Sequence, residues 1–105
     1  ASVSSLIQTL DELDAQLQSN ETPVTKASVS TSRSNIRNAR STLVAVQTDL
    51  QNGNIAAANE KLALLETQIT QLQQSLNLLG KQYTTVSNVL KTKHDTAKNS
   101  VSNIR

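Results

Sequence analysis

The chain has no cysteine, phenylalanine, tryptophan or methionine. Among its 105 residues there are one tyrosine, one histidine, one proline and two glycines. Each absence removes a class of function. Without cysteine there is no disulfide framework, thiol nucleophile or thiolate metal site. A lone histidine, His94, cannot supply a pair of imidazole ligands. It lies between Lys93 and Asp95 in a polar stretch and reads as an exposed helix residue. A catalytic His–Asp arrangement would also need a cleft and a nucleophile, and the sequence signals neither. Gly53 and Gly80 are too few and too far apart for a phosphate-cradling loop. No apolar run approaches the ~18–20 residues that cross a bilayer, so no membrane insertion is expected. With Tyr83 the only aromatic, the core must be built from Leu, Ile, Val and Ala, which fill narrow helical seams better than a ligand pocket. No cofactor, metal or enzymatic activity is expected.

Charge is also scarce. Charged residues make up 17% of the chain, against about a quarter in ordinary globular proteins. Ser, Thr, Asn and Gln together supply 45 of the 105 residues. Such an uncharged polar surface is associated with exported appendage subunits, surface proteins and virion parts, and the expected localisation follows: extracellular, cell surface or virion. The opening Ala1-Ser2 would suit a chain cut after a signal peptide. Asn20-Glu21-Thr22 fits the glycosylation acceptor pattern, but Pro23 directly after it disfavours modification.

What the chain does contain is spacing. Val3, Leu6, Leu10, Leu13 and Leu17 recur at alternating intervals of three and four, the seam of a bundle or coiled-coil helix. A first helix is predicted over about 2–19, capped by Ser2 or Ser4. Thr22 and Pro23 then read as a cap and first helical residue, opening a second helix over 23–51 with the seam Val29, Ser32, Ile36, Ala39, Leu43, Val46 and Leu50. Asn52-Gly53-Asn54 is a stop and a start: Gly53 can take the left-handed conformation that closes a helix, and Asn54 can cap the next. The third helix, over 55–79, carries Ile55, Ala58, Leu62, Leu65, Ile69, Leu72, Leu76 and Leu79.

At Gly80 two readings stay open. The heptad phase runs on unshifted through Tyr83, Val86, Leu90, Lys93, Ala97, Ser100 and Ile104. One continuous helix of ~50 residues would be about 75 Å long, and a glycine inside it costs only ~1 kcal/mol. A turn at Gly80-Lys81 would instead give a fourth helix over 82–103, with Lys93 carrying its charged end out to water. The second reading lets one chain cover all four seams. The fold class expected is therefore all-α: a single antiparallel up-down bundle of four helices spanning 1–105, with the long helix in an oligomer as the alternative.

Charge is unevenly placed. The segment 1–21 holds the acids Asp11, Glu12, Asp14 and Glu21 and no base, whereas the segment 22–48 holds Lys26, Arg33, Arg37 and Arg40 and no acid. The arginines, four and three apart, form a stripe beside the second seam. They can pair with Asp11, Glu12 and Asp14, or offer a basic face to a partner. The acidic cluster alone reads as a solvated face, not an acid–base or cation site. The last quarter is basic, with Lys81, Lys91, Lys93, Lys98 and Arg105 against Asp95. The binding residues nominated are Arg33, Arg37, Arg40, Lys91 and Lys98. The leading expectation is a non-enzymatic structural or assembly module, possible as a homo-oligomer. A helical binding module using the arginine face for a protein partner is the alternative. Nucleic acid is a weaker partner, given a net charge of only +2 and no aromatics for base stacking.

Overall fold

The computed structural model describes residues 2–104. Four helices follow one another: α1 (Ser2–Asn20), α2 (Lys26–Gln51), α3 (Ile55–Asn77) and, after a single 3₁₀ turn at Lys81–Tyr83, α4 (Thr84–Ser102). Each packs on its chain neighbour, α4 packs back on α1, and the diagonal pairs do not approach. Side-chain contacts fix the directions. Arg33 meets Asp14, Arg40 meets Asp11 and Gln47 meets Ser4, so α2 climbs as α1 descends. Ser2 meets Ser100 and Thr9 meets Lys93, which makes α4 antiparallel to α1 as well. The result is a square up-down bundle, 48 × 20 × 20 Å.

The first three seams lie where the spacing puts them. Val3, Leu6, Leu10, Leu13 and Leu17 are buried, as are Val29, Ser32, Ile36, Ala39, Leu43 and Val46, and Ala58, Leu62, Leu65, Ile69, Leu72 and Leu76. They form one continuous aliphatic core, with Leu50, Ile55 and Leu79 packed at its margins. Ser32 and Ser75 bring α2 and α3 together. The Ser32 hydroxyl donates to Ser75 Oγ at 2.9 Å, and Ser75 donates to the Leu72 carbonyl at 2.9 Å. Asn35 Nδ2 also donates to Ser75 Oγ at 3.3 Å, so both buried hydroxyls have partners. On the outside, Thr42, Thr48, Thr70, Thr96 and Ser102 donate to carbonyls four residues back. These bonds satisfy uncharged side chains on the helices' own backbone.

The helix ends refine the expected boundaries. Ser2 and Ser4 both lie inside α1 rather than capping it. The segment 23–25 forms a turn and α2 begins at Lys26. Thr22 does not cap α2: the cap position is Thr25, whose side chain makes no capping bond. The two threonines instead close the preceding turn, Thr22 Oγ1 accepting from the Thr25 amide at 3.2 Å and Thr25 Oγ1 from the Thr22 amide at 2.9 Å. At the α2–α3 turn the Asn54 amide bonds the Asp49 carbonyl and the Gly53 amide bonds the Leu50 carbonyl. That is the Schellman pattern, with Gly53 at positive φ in the left-handed region. Asn54 occupies the cap position of α3, but its side chain makes no capping bond.

Gly80 is a turn. Its φ is positive and its ψ fully extended, a combination essentially reserved for glycine. The single long helix through residue 80 is therefore not the fold of this chain. Nor does α4 keep the phase of α3. Its buried residues are Ser87, Leu90, His94, Ala97 and Val101, with Tyr83 buried just before it. Lys93 and Ser100, expected on the seam, stand on its flank towards α1, and Ile104 is 45% exposed. The non-helical turn uncouples the two phases, so α4 rotates to suit its own neighbours. Tyr83 closes this end of the core, and its hydroxyl accepts from Asn20 Nδ2 at 3.5 Å.

Candidate interaction surface

The nominated basic residues fall on two opposite faces. Arg33, Arg37 and Arg40 are on the side of α2 that meets α1. Arg33 makes a two-point contact with Asp14, Nε to Oδ1 at 2.9 Å and Nη2 to Oδ2 at 3.3 Å. Arg40 Nε donates to Asp11 Oδ1 at 2.8 Å. The Asp14 hydrogen bond, with the charge of Asp14 behind it, raises the Arg33 pKa above its ordinary value. The guanidinium stays charged across the whole neutral range, so on its own it adds no pH dependence there. Glu12 is exposed and makes no ion pair among the described residues, so two of the three clustered acids accept arginine. Arg37, between its paired neighbours, is exposed and has no carboxylate within ion-pair reach among the described residues.

Lys91 and Lys98 lie on the flank of α4 that faces α3. Lys98 Nζ is 3.9 Å from Glu66 Oε2, and Lys91 is exposed without an ion pair among the described residues. Arg105, counted with this basic quarter, lies outside the described residues. Another lysine of the stretch corrects an expectation. Lys93 Nζ does not simply reach out to water, since it donates to Thr9 Oγ1 at 2.7 Å, and Thr9 in turn donates to the Ser5 carbonyl at 3.1 Å. The five nominated residues therefore form no single patch.

His94 overturns the reading of an exposed residue, for it is only 2% exposed. Its Nε2 lies 2.8 Å from the Leu62 carbonyl oxygen. A carbonyl can only accept, so Nε2 carries the proton and donates. Nδ1 faces the exposed Asp95, with Oδ1 at 3.6 Å. The charged neighbours at 93 and 95 hid this position in the sequence. The signal that could have found it is the alternative spacing Tyr83, Ser87, Leu90, His94, Ala97 and Val101. Among the described residues no group of three or more His, Asp or Glu side chains could hold a metal ion. No described helix is long and apolar enough to cross a membrane.

One concavity went unanticipated. At the end of the bundle that holds the α2–α3 turn, an open cleft of about 500 Å³ lies between α1, the end of α2 and the end of α4. Val3, Leu50, Ala97, Val101 and Ile104 line its apolar part, and the other lining residues are serines and glutamines. Comparison with protein-family models finds no match, and comparison with curated proteins and with solved structures finds no significant match.

Proposed function

We propose that this chain is a non-enzymatic structural or assembly module of an exported, surface or virion protein, acting through the faces of its helices. The observation that carries the reading is where its polar chemistry goes. Its histidine is engaged with a backbone carbonyl, two of three stripe arginines are engaged with aspartates of α1, and the buried hydroxyls of Ser32 and Ser75 bridge α2 and α3. What faces solvent is mainly Ser, Thr, Asn and Gln, a surface for repetitive, soluble contacts. Solution mass by light scattering over a wide concentration range, together with co-sedimentation of the tagged chain with large particles from producing cells, tests it. Self-association or particle association is the expected outcome. A chain that stays monomeric throughout and enters no particle removes the reading.

A second reading has one observation in its favour. Arg37 is exposed and has no ion pair among the described residues, between two engaged arginines, and arginine is favoured at protein interfaces. In this reading the α1–α2 face docks a protein partner with an acidic contact. Recovery of a partner that drops with Arg37→Ala, but not with Lys91→Ala on the opposite face, supports it. Equal recovery with both variants rejects it. Basic residues divided between opposite faces give nucleic acid less support, since a backbone-tracking surface needs them together.

A further inference from the structure

The turn between α2 and α3 carries a pair of residues that can react with each other. A side-chain amide is open to attack by the backbone nitrogen of the residue that follows it, and a Cβ on that residue hinders the approach. Of the ten asparagines in the chain, only Asn52 precedes a glycine. A Cβ placed on Gly53 would meet no atom within 4 Å, so nothing packs over the reacting atoms. Asn52, Gly53 and Asn54 are all exposed. By contrast Asn35, Asn38, Asn59, Asn88 and Asn99 lie within helices, where the next amide is tied into the helix ladder.

The closed turn keeps the pair from reacting. Asn52 has a ψ of 1°, which turns the Gly53 nitrogen away from its side chain. The Gly53 amide donates to the Leu50 carbonyl at 3.2 Å, and the Asn54 amide donates to the Asp49 carbonyl at 2.7 Å. Rotating the Asn52 Cα–C bond into line for attack breaks both bonds. It uncovers none of the turn's own side chains, which already face solvent. Opening is therefore a local event that leaves the four seams packed.

We propose that Asn52 is a slow self-modification site, converted through a cyclic imide to aspartate and isoaspartate when the Schellman turn opens in the otherwise folded bundle. The Gly53 nitrogen gives its proton to hydroxide and bonds to Asn52 Cγ. The Cγ–Nδ2 bond breaks, and Nδ2 takes a proton from water and leaves as ammonia. Water then adds to one carbonyl of the five-membered ring and breaks that carbon's bond to the Gly53 nitrogen. Breakage at Cγ restores the main chain with an aspartate side chain. Breakage at the main-chain carbonyl leaves the chain running through Cβ and Cγ, which is isoaspartate. The net change exchanges one water for one ammonia and needs no oxidant or cofactor. Either product puts a carboxylate at the C-terminus of α2, where the helix dipole disfavours it, and lowers the net charge of +2 by one. Isoaspartate also lengthens the backbone by a carbon inside the turn, so the hairpin it closes is loosened. The inference does not rest on the assembly reading.

The test is timed incubation of the full chain, folded and in denaturant, with peptide mapping that separates aspartate from isoaspartate at position 52. Conversion in the folded chain should run roughly 10–100-fold slower than in denaturant, the cost of opening two exposed hydrogen bonds. Both products should form, and Asn52 should convert ahead of every other asparagine. The rate should rise about tenfold per pH unit, because the Gly53 nitrogen loses its proton before it attacks. Gly53→Ala, compared in denaturant where the turn imposes no strain, should slow conversion at least about tenfold. Equal rates in the folded and denatured chains overturn the turn as gate. A folded chain more than about a thousandfold slower overturns opening within the folded bundle, since that cost belongs to global unfolding. Aspartate without isoaspartate overturns the cyclic route.

Discussion

Helices α3 and α4 stand side by side on the same core yet hold it in different ways. The buried positions of α3 are Ala58, Leu62, Leu65, Ile69, Leu72 and Leu76, with Ser75 alone polar and bonded to α2. Those of α4 are Ser87, Leu90, His94, Ala97 and Val101, with Leu90 the only large aliphatic residue. One helix is fixed by aliphatic volume. The other has little aliphatic volume and leans on the buried His94 ring, bonded to its neighbour's backbone, and on Tyr83 at its entry. The difference teaches that equal burial is not equal hold. Helix α4 is expected to open first, so its amides should exchange with solvent before those of α3 under native conditions.

The largest effects should come from α3. Leu65→Ala or Leu72→Ala, both fully buried, should cost about 2–5 kcal/mol in denaturant unfolding. Less than ~1 kcal/mol would mean the α3 seam is not the dominant anchor. On α4, His94→Ala should cost about 2 kcal/mol, since it leaves a cavity in the core. His94→Leu should stay within ~1 kcal/mol of wild type, because Leu restores the volume and the Leu62 carbonyl keeps its place in the helix. If the leucine variant is as damaged as the alanine one, the hydrogen bond, not the volume, holds α4.

Gly80→Ala sharpens the comparison at the joint between the two helices. A Cβ at residue 80 would meet no atom within 4 Å, so the cost is conformational alone. About 1–2 kcal/mol is expected from the positive φ, read as a lower midpoint for the monomeric bundle. A neutral result would show that the turn does not need this conformation. The smallest effect belongs to the surface. Arg33→Ala should lower the unfolding midpoint only slightly despite its two-point contact with Asp14, and the loss should shrink in high salt. A larger loss, insensitive to salt, would place the α1–α2 ion pairs among the main supports of the fold.

Much of the architecture was legible because the seams of α1, α2 and α3 are spaced without ambiguity and Asn52-Gly53-Asn54 signals a boundary by chemistry alone. The pairing of Asp11 and Asp14 with the arginine stripe followed from charge segregation between the first two helices. The phase of α4 was not legible. After a non-helical turn a helix has no memory of the phase before it, and apolar spacing scored Val86 and Ile104 above Ser87 and His94. His94 was misread because its sequence neighbours are charged, while its spatial neighbour is the Leu62 carbonyl 32 positions away. The separation of Arg33, Arg37 and Arg40 from Lys91 and Lys98 depends on which helices stand side by side, which spacing along one helix does not encode.

The turn at Asn52–Asn54 also bears on the order of folding. It is the shortest of the three connections, and it joins the two helices that share the Ser32–Ser75 contact. The entropy lost in closing a loop grows with its length, so this hairpin has the smallest barrier to forming alone. Contacts made across such a short separation also favour fast folding. The α2–α3 hairpin is thus the natural nucleus, a preformed trough onto which α1 and α4 then settle from either side.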